Sequence, residues 1–259
     1  MLFNLFKSKP PETPDHPSIE VGWSLLDFPA TVIWDDPEPY SRKPAPGSPS
    51  PQKNDATLPK DQQDLNYDGR YFVIKAPIDM HLRFFVDPNG RPNIQNMDGE
   101  RSSVRDHFLN QLIQMTAPNE WRHPERPMIQ IITPYIFLAD APVYINQFPP
   151  FMDYPQSPLP GLLMDGRFPI DVWPRQLMWA FEWYDIKSEI NIKRGDPWFY
   201  VYFETTDPHS EIRLVESEIT PEVKKYITSI NGVSNYVKQT YSLFNTARRR
   251  RPEKLVFPK

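Results

Sequence analysis

The chain has 259 residues, of which 39% are hydrophobic and 14% aromatic, a formal net charge of −4 and no cysteine. This is enough apolar mass for one large or two small domains. The missing cysteines exclude disulfide scaffolds, thiol nucleophiles, iron–sulfur clusters and thiolate zinc sites, and the slightly acidic balance leaves no global basic field for nucleic acid. The 32 prolines, against 9 glycines, exclude long helices wherever they recur and favour short strands joined by proline-set turns.

The opening run Met1 to Lys9 is apolar and then basic, the reverse of a signal peptide, and too short to span a bilayer. It predicts a protein with no membrane association, cytoplasmic or virion-associated. Residues 1–66 read as a proline-rich N-terminal arm and loop. Within it, Ile19 to Phe28 and Ala30 to Trp34 are aromatic and β-branched runs, which suit strands or an arm laid across the core, with the arm favoured. Tyr40 to Lys60 carries Pro44, Pro46, Pro49, Pro51 and Pro59 among polar residues and is expected to be a mobile or extended loop.

Residues 67–215 carry the strand signals. Asp68-Gly69 marks a turn before Arg70 to Pro77, and a second turn at Asp87 to Gly90 closes Ile78 to Val86. Alternation in that run sets Ile78, Met80, Leu82 and Phe84 on one face and Asp79, His81 and Arg83 on the other. Ser102 to Met115 changes period, with Val104, Phe108, Leu109, Leu112, Ile113 and Met115 on one side of a short helix that Pro118 closes. Strands then resume over Met128 to Thr133, Tyr135 to Leu138, Val143 to Phe148, Phe168 to Trp173, Met178 to Trp183, Ile190 to Ile192 and Trp198 to Glu204.

Residues 216–259 form a third region. Thr220-Pro221-Glu222 is a strong helix start. Val223, Tyr226, Ile227, Ile230, Val233, Val237, Tyr241 and Phe244 continue at helical spacing, weakened at Asn231-Gly232, and a basic tail follows. The fold class is therefore β-rich α+β, an antiparallel sandwich or jelly-roll-like domain with a short inserted helix and a C-terminal amphipathic helix.

Several landmarks stand in a recognisable order. They are Tyr71 to Asp79, Asn146-Gln-Phe-Pro149, Leu159-Pro-Gly161 leading to Asp165-Gly-Arg-Phe168, and Ile192-Lys-Arg-Gly-Asp-Pro-Trp198 with Val201-Tyr-Phe203. Over about half the chain this order resembles DUF6065, an uncharacterised family of bacterial and phage proteins. The resemblance implies a bacterial or phage setting and supplies no activity. The strand-turn-strand layout is also loosely similar to the β-clip of trimeric deoxyuridine triphosphatases. Arg101-Ser-Ser103, however, opens a predicted helix, and the Gly-rich phosphate loop of those enzymes is missing.

Chemistry-bearing residues offer few constellations. Asp79, His81 and a downstream His123 could form a cupin-like iron or zinc site, although an exposed strand face accounts for Asp79 and His81 equally well. Asp165, Asp171, Glu182, Asp185 and Glu189 surround Trp173, Trp179 and Trp183, which would suit a sugar or a cationic ligand, or simply core aromatics edged by loop acids. Phosphate loops, nucleophile elbows and the His-Glu-x-x-His zinc motif do not occur. Arg248, Arg249, Arg250 and Arg251 form the one dense like-charge run, suited to a solvated tail, a docked tail or phosphate contacts.

These features point to a non-catalytic binding or assembly protein with no cofactor. Its partner is a protein or a second copy, and nucleic acid enters only through the arginine run. The expected contact surface is Val237, Tyr241, Phe244 and Arg248 to Arg251, where the helix projects beyond the sheet. The alternative is the cupin-like metal enzyme using Asp79, His81 and His123 with iron or zinc.

Overall fold

A computed structural model describes residues 17–27, 32–40, 67–102, 109, 111–151, 153, 158–164, 166–230 and 240–259. The N-terminal half supplies β1 (Ser18–Leu25), β2 (Glu38–Pro39), the one-turn helix α1 (Tyr67–Arg70), β3 (Tyr71–Lys75), β4 (Met80–Val86), β5 (Pro92–Asn96), β6 (Ile113–Met115) and β7 (Met128–Ala139). There follow β8 (Val143–Phe148), β9 (Gly161–Leu163), β10 (Gly166–Pro169), β11 (Gln176–Trp183), β12 (Ile190–Ile192), β13 (Pro197–Thr205) and β14 (Glu211–Glu216). The chain closes with α2 (Pro221–Ile230) and α3 (Thr240–Arg250).

The strands form three sheets. The first runs β14-β1-β7-β11-β9 with β6 paired to β7, the second β10-β8-β13-β3-β2, and the third β12-β4-β5. All neighbours are antiparallel except β1 and β14, which run parallel. The first two sheets share one apolar core, with Phe137 of β7 against Phe203 of β13 at 5.5 Å between ring centroids. The result is a β-sandwich-like α+β fold, as the sequence pattern predicts.

Physical patterning accounts for most of these elements. On β4 the alternation holds, with Met80 and Leu82 buried and Arg83 exposed. On β13 the core face carries Phe199, Val201 and Phe203, while Tyr200 and Tyr202 point to an aromatic cluster on the outer side with Tyr40, Tyr71, Val73 and Phe148.

β7 is continuous through Pro134, where two separate strands are expected from the sequence. The proline is tolerated because the ladder is interrupted there on both sides. β6 pairs only with Ile129 to Ile131 and β1 only with Tyr135 to Ala139, and on the opposite edge the register to β11 shifts between Gln176 and Met178.

Three expectations are revised. The N-terminal run is an integral strand, since β1 lies between β14 and β7 with Val21 fully buried; a boundary at residue 66 would cut the first sheet. The expected helix over Ser102 to Met115 ends in strand at Ile113, while Leu109 and residues 111–112 are helical and the stretch 103–108 lies outside the described residues. Pairing with β7 overrides helical periodicity at those last three positions. The C-terminal helix is described as two pieces, α2 and α3, with 231–239 between them outside the described residues. The proline-dense stretch after Tyr40 lies outside them as well.

Candidate functional site: a C-terminal arginine platform and an apolar groove

The C-terminal region is built into the body. α2 buries Val223, Tyr226, Ile227 and Ile230 in the main core, and the Tyr226 hydroxyl donates to the carbonyls of Val172 (2.5 Å) and Ala247 (3.2 Å). Burial pushes the Tyr226 phenol up to about 12. α3 buries Ala247 and sets Phe244 edge-on to Trp173 at 5.5 Å. The tail then returns across the first sheet. Leu255 and Val256 are buried, and the Phe257 amide donates to the Ser217 hydroxyl at 2.9 Å. The residues after the arginine run are thus docked on the protein's own surface.

The four arginines divide accordingly. Arg248, Arg249 and Arg250 are exposed in the last turn of α3, where cationic side chains also complement the helix dipole. Arg251, expected to face a partner, is turned inward. Its guanidinium donates to the carbonyls of Asp171 (2.6 Å), Pro252 (2.8 Å), Glu253 (3.0 Å), Ala139 (3.2 Å) and Asp140 (3.1 Å). Five planar N–H groups suit this cluster of strand-end and loop carbonyls, which no ammonium could cover. Phe244 is half-buried in the chain's own core, so it too is turned away from the expected surface. Val237 and the side chain of Tyr241 lie outside the described residues.

The residues of the alternative metal reading are not brought together. Asp79 accepts the Arg194 backbone amide at 2.7 Å. His81 places Nε2 at 2.5 Å from Glu189 and Nδ1 at 3.3 Å from Asp98. His123 accepts the Glu125 amide through Nδ1 at 3.2 Å and forms a bridge with Arg126. Among the described residues no group of three His, Asp or Glu side chains is arranged to hold a metal ion.

The acids around the tryptophans are likewise engaged one by one. Glu182 is buried between Arg122 (3.6 Å) and Arg126 (3.9 Å). Asp185 caps its own turn through Ser188 and the Lys187 amide, which hold its carboxyl below the usual range. Glu189 is held low by its hydrogen bonds with His81 and then Arg83. Asp171 is pushed up by desolvation, which outweighs the nearby Arg251 and Arg248. Asp165 lies outside the described residues, and Trp173, Trp179 and Trp183 are core side chains.

A groove of about 770 Å³ was not legible in the sequence. It opens where the ends of the three sheets meet, between β9, the edge strand of the first, and β12, the edge strand of the third. Its floor includes Trp179, Phe181 and Trp198, and its rim includes Phe151, Leu162 and Lys193. The only signal for it was the proline pairs Pro149-Pro150 and Pro158-x-Pro160 flanking short strands. Comparison with known protein families, curated proteins and solved structures finds no match for the chain.

Proposed function

We propose that the protein is a non-catalytic binding or assembly protein whose principal contact is made by the exposed arginines Arg248, Arg249 and Arg250, with a second copy of the chain as partner. The observation that carries this reading is the anchoring of Arg251. It ties the end of α3 to β7 and to the turn after β10, so three guanidinium groups are presented from a fixed support. A pre-set surface loses less conformational entropy on association than a free tail does.

Charge supports the choice of partner. The net charge is −4, so the rest of the chain carries −7 without these three arginines, and another copy offers a complementary acidic surface. The resemblance to DUF6065 supports a bacterial or phage setting, in the cytoplasm or on a virion. No described helix is long and apolar enough to cross a membrane.

Sedimentation velocity of the full chain tests this reading. The wild type should sediment as more than its 30.5 kDa monomer in low salt and dissociate as salt is raised. The Arg248→Glu, Arg249→Glu, Arg250→Glu variant should be monomeric throughout. A wild type that stays monomeric in low salt at high concentration would overturn it, and a salt-sensitive complex of the same arginines with a DNA oligonucleotide would make nucleic acid the partner instead.

A further inference from the structure

We propose that the groove between β9 and β12 is a binding site for an extended, predominantly apolar peptide carrying a basic residue. The inference is independent of the arginine surface. It rests on the placement of two strand edges, on two buried donors without acceptors, and on the charge of the rim.

Among the described residues β9 pairs only with β11 and β12 only with β4, so each stands at the end of its sheet, and both line one groove. An open strand edge is a template for a further strand, and native proteins ordinarily cover or blunt it. Here the edges border a surface of Leu159, Leu162, Phe151 and prolines, with Leu162 43% and Phe151 54% exposed. A peptide added along an edge gains main-chain hydrogen bonds, while its alternate side chains enter the apolar groove.

The floor supplies the second observation. Trp179 and Trp198 are 0% and 2% exposed, and neither indole N–H has a hydrogen-bond partner. A buried donor left without an acceptor is unfavourable, and the two indoles would gain from an acceptor that a bound ligand brought within reach. The ring faces of Trp179 are already covered. Phe181 stacks on it at 4.9 Å and 5°, and Trp198 lies over it at 5.6 Å and 32°. A sugar, which binds by laying its ring on an exposed aromatic face, finds no such face on the tryptophans of the floor.

The rim decides the charge. Among the described lining residues Asp153 and Asp196 stand against the ammonium of Lys193. Asp153 accepts the Tyr200 hydroxyl and Asp196 accepts the Lys193 amide at 2.9 Å, so both carboxylates are held in place by the protein. The excess of one negative charge disfavours an anionic ligand and favours a peptide with lysine or arginine beside its apolar positions.

The test follows the seven indole N–H resonances of the intact ¹⁵N-labelled chain by NMR. The probe is a capped octapeptide alternating valine and lysine around a central proline. Its control has glutamate for lysine. Trp179→Phe and Trp198→Phe variants identify the two relevant signals. The lysine peptide should move those two saturably, bind at least fivefold more tightly than the glutamate peptide, and lose at least tenfold in affinity in Leu162→Lys, a change at an exposed position that leaves the fold intact. No saturable shift at millimolar peptide, shifts confined to other indoles, or equal binding of the two peptides would each overturn the proposal. Concentration-dependent loss of the same two signals in the protein alone, abolished by Leu162→Lys, would place a second copy in the groove and overturn it as well.

Discussion

The Nε of Arg251 donates to the carbonyl oxygen of Asp171 at 2.6 Å, joining the end of α3 to the turn that follows β10, 80 residues earlier in the chain. The same guanidinium reaches Ala139 at the end of β7. One side chain therefore gathers the loose ends of both large sheets and the last helix. Arg251→Ala should destabilise the protein by on the order of 2 to 4 kcal/mol, since it removes hydrogen bonds from a charged donor and strips several partly buried carbonyls at once. Urea denaturation followed by circular dichroism checks this, and Arg251→Lys should recover little because a point charge cannot replace the planar fork. Single exposed neighbours such as Arg249→Ala should shift the midpoint by less than about 0.5 kcal/mol.

At Gly161 the packing of β9 on β11 leaves no room for a side chain. A Cβ there would meet the Glu182 carbonyl oxygen and lie 2.7 Å from Cζ of Phe181. Backbone cannot yield as a flexible side chain would, and Phe181 is fixed by its stack on Trp179. Gly161→Ala should therefore cost about 1 to 3 kcal/mol and detach the edge strand. Gly22→Ala should be milder, because its new methyl meets the side chains of Ser217 and Val256. Thermal melts of the two variants side by side check the order, and an unaffected Gly161→Ala would contradict the described pairing.

Glu189 bonds both His81 and Arg83, and these hold its carboxyl below the ordinary 4.5. A carboxyl depressed in the folded state contributes stability that is present above its unfolded value and is lost as pH falls through the folded value. Glu189→Gln should thus lower the melting temperature at pH 7, with the difference closing once the pH drops below 4.5. Because Arg83 is half exposed, salt should shrink the difference as well.

Asp171 behaves in the opposite sense. Desolvation raises its carboxyl above the ordinary 3.8 in the folded state, so ionisation opposes folding as pH rises through the folded value. Asp171→Asn keeps the backbone carbonyl that Arg251 uses. It should raise the melting temperature at neutral pH, and the gain should vanish as pH falls towards 3.8. A loss of stability at pH 7 would show that the carboxylate's attraction to Arg251 and Arg248 outweighs its desolvation.

The sequence made the sheets legible where one face is buried and the other is not, or where aromatic and β-branched residues run together. β4 shows the first case through Met80 and Leu82, and β13 the second through Phe199 to Phe203. It did not reveal β5, β9 or β14, because Asn93, Gly161 and Arg213 carry little strand propensity and their pairing is decided by neighbours distant in sequence. Pro134 read as a strand break, since no local pattern shows that partners change at that point. The arginine run was conspicuous, but nothing local distinguishes Arg251, whose five carbonyl partners lie mostly in other elements, from its exposed neighbours. The groove depends on two sheet edges meeting, a property of topology alone.

Removing the chain from Val237 onward would not separate an interface from the fold, because Ala247, Leu255 and Val256 are core residues and the truncated protein should unfold. The most direct measurement of the assembly role is hydrogen exchange of the intact chain across protein concentration. If Arg248, Arg249 and Arg250 contact a second copy, the last-turn amides of α3 should exchange more slowly as concentration rises from micromolar to hundreds of micromolar in low salt. Core amides such as those of Ile129 and Val201 should not change. Exchange at α3 that is independent of concentration, or protection that appears elsewhere on the surface instead, would contradict the account.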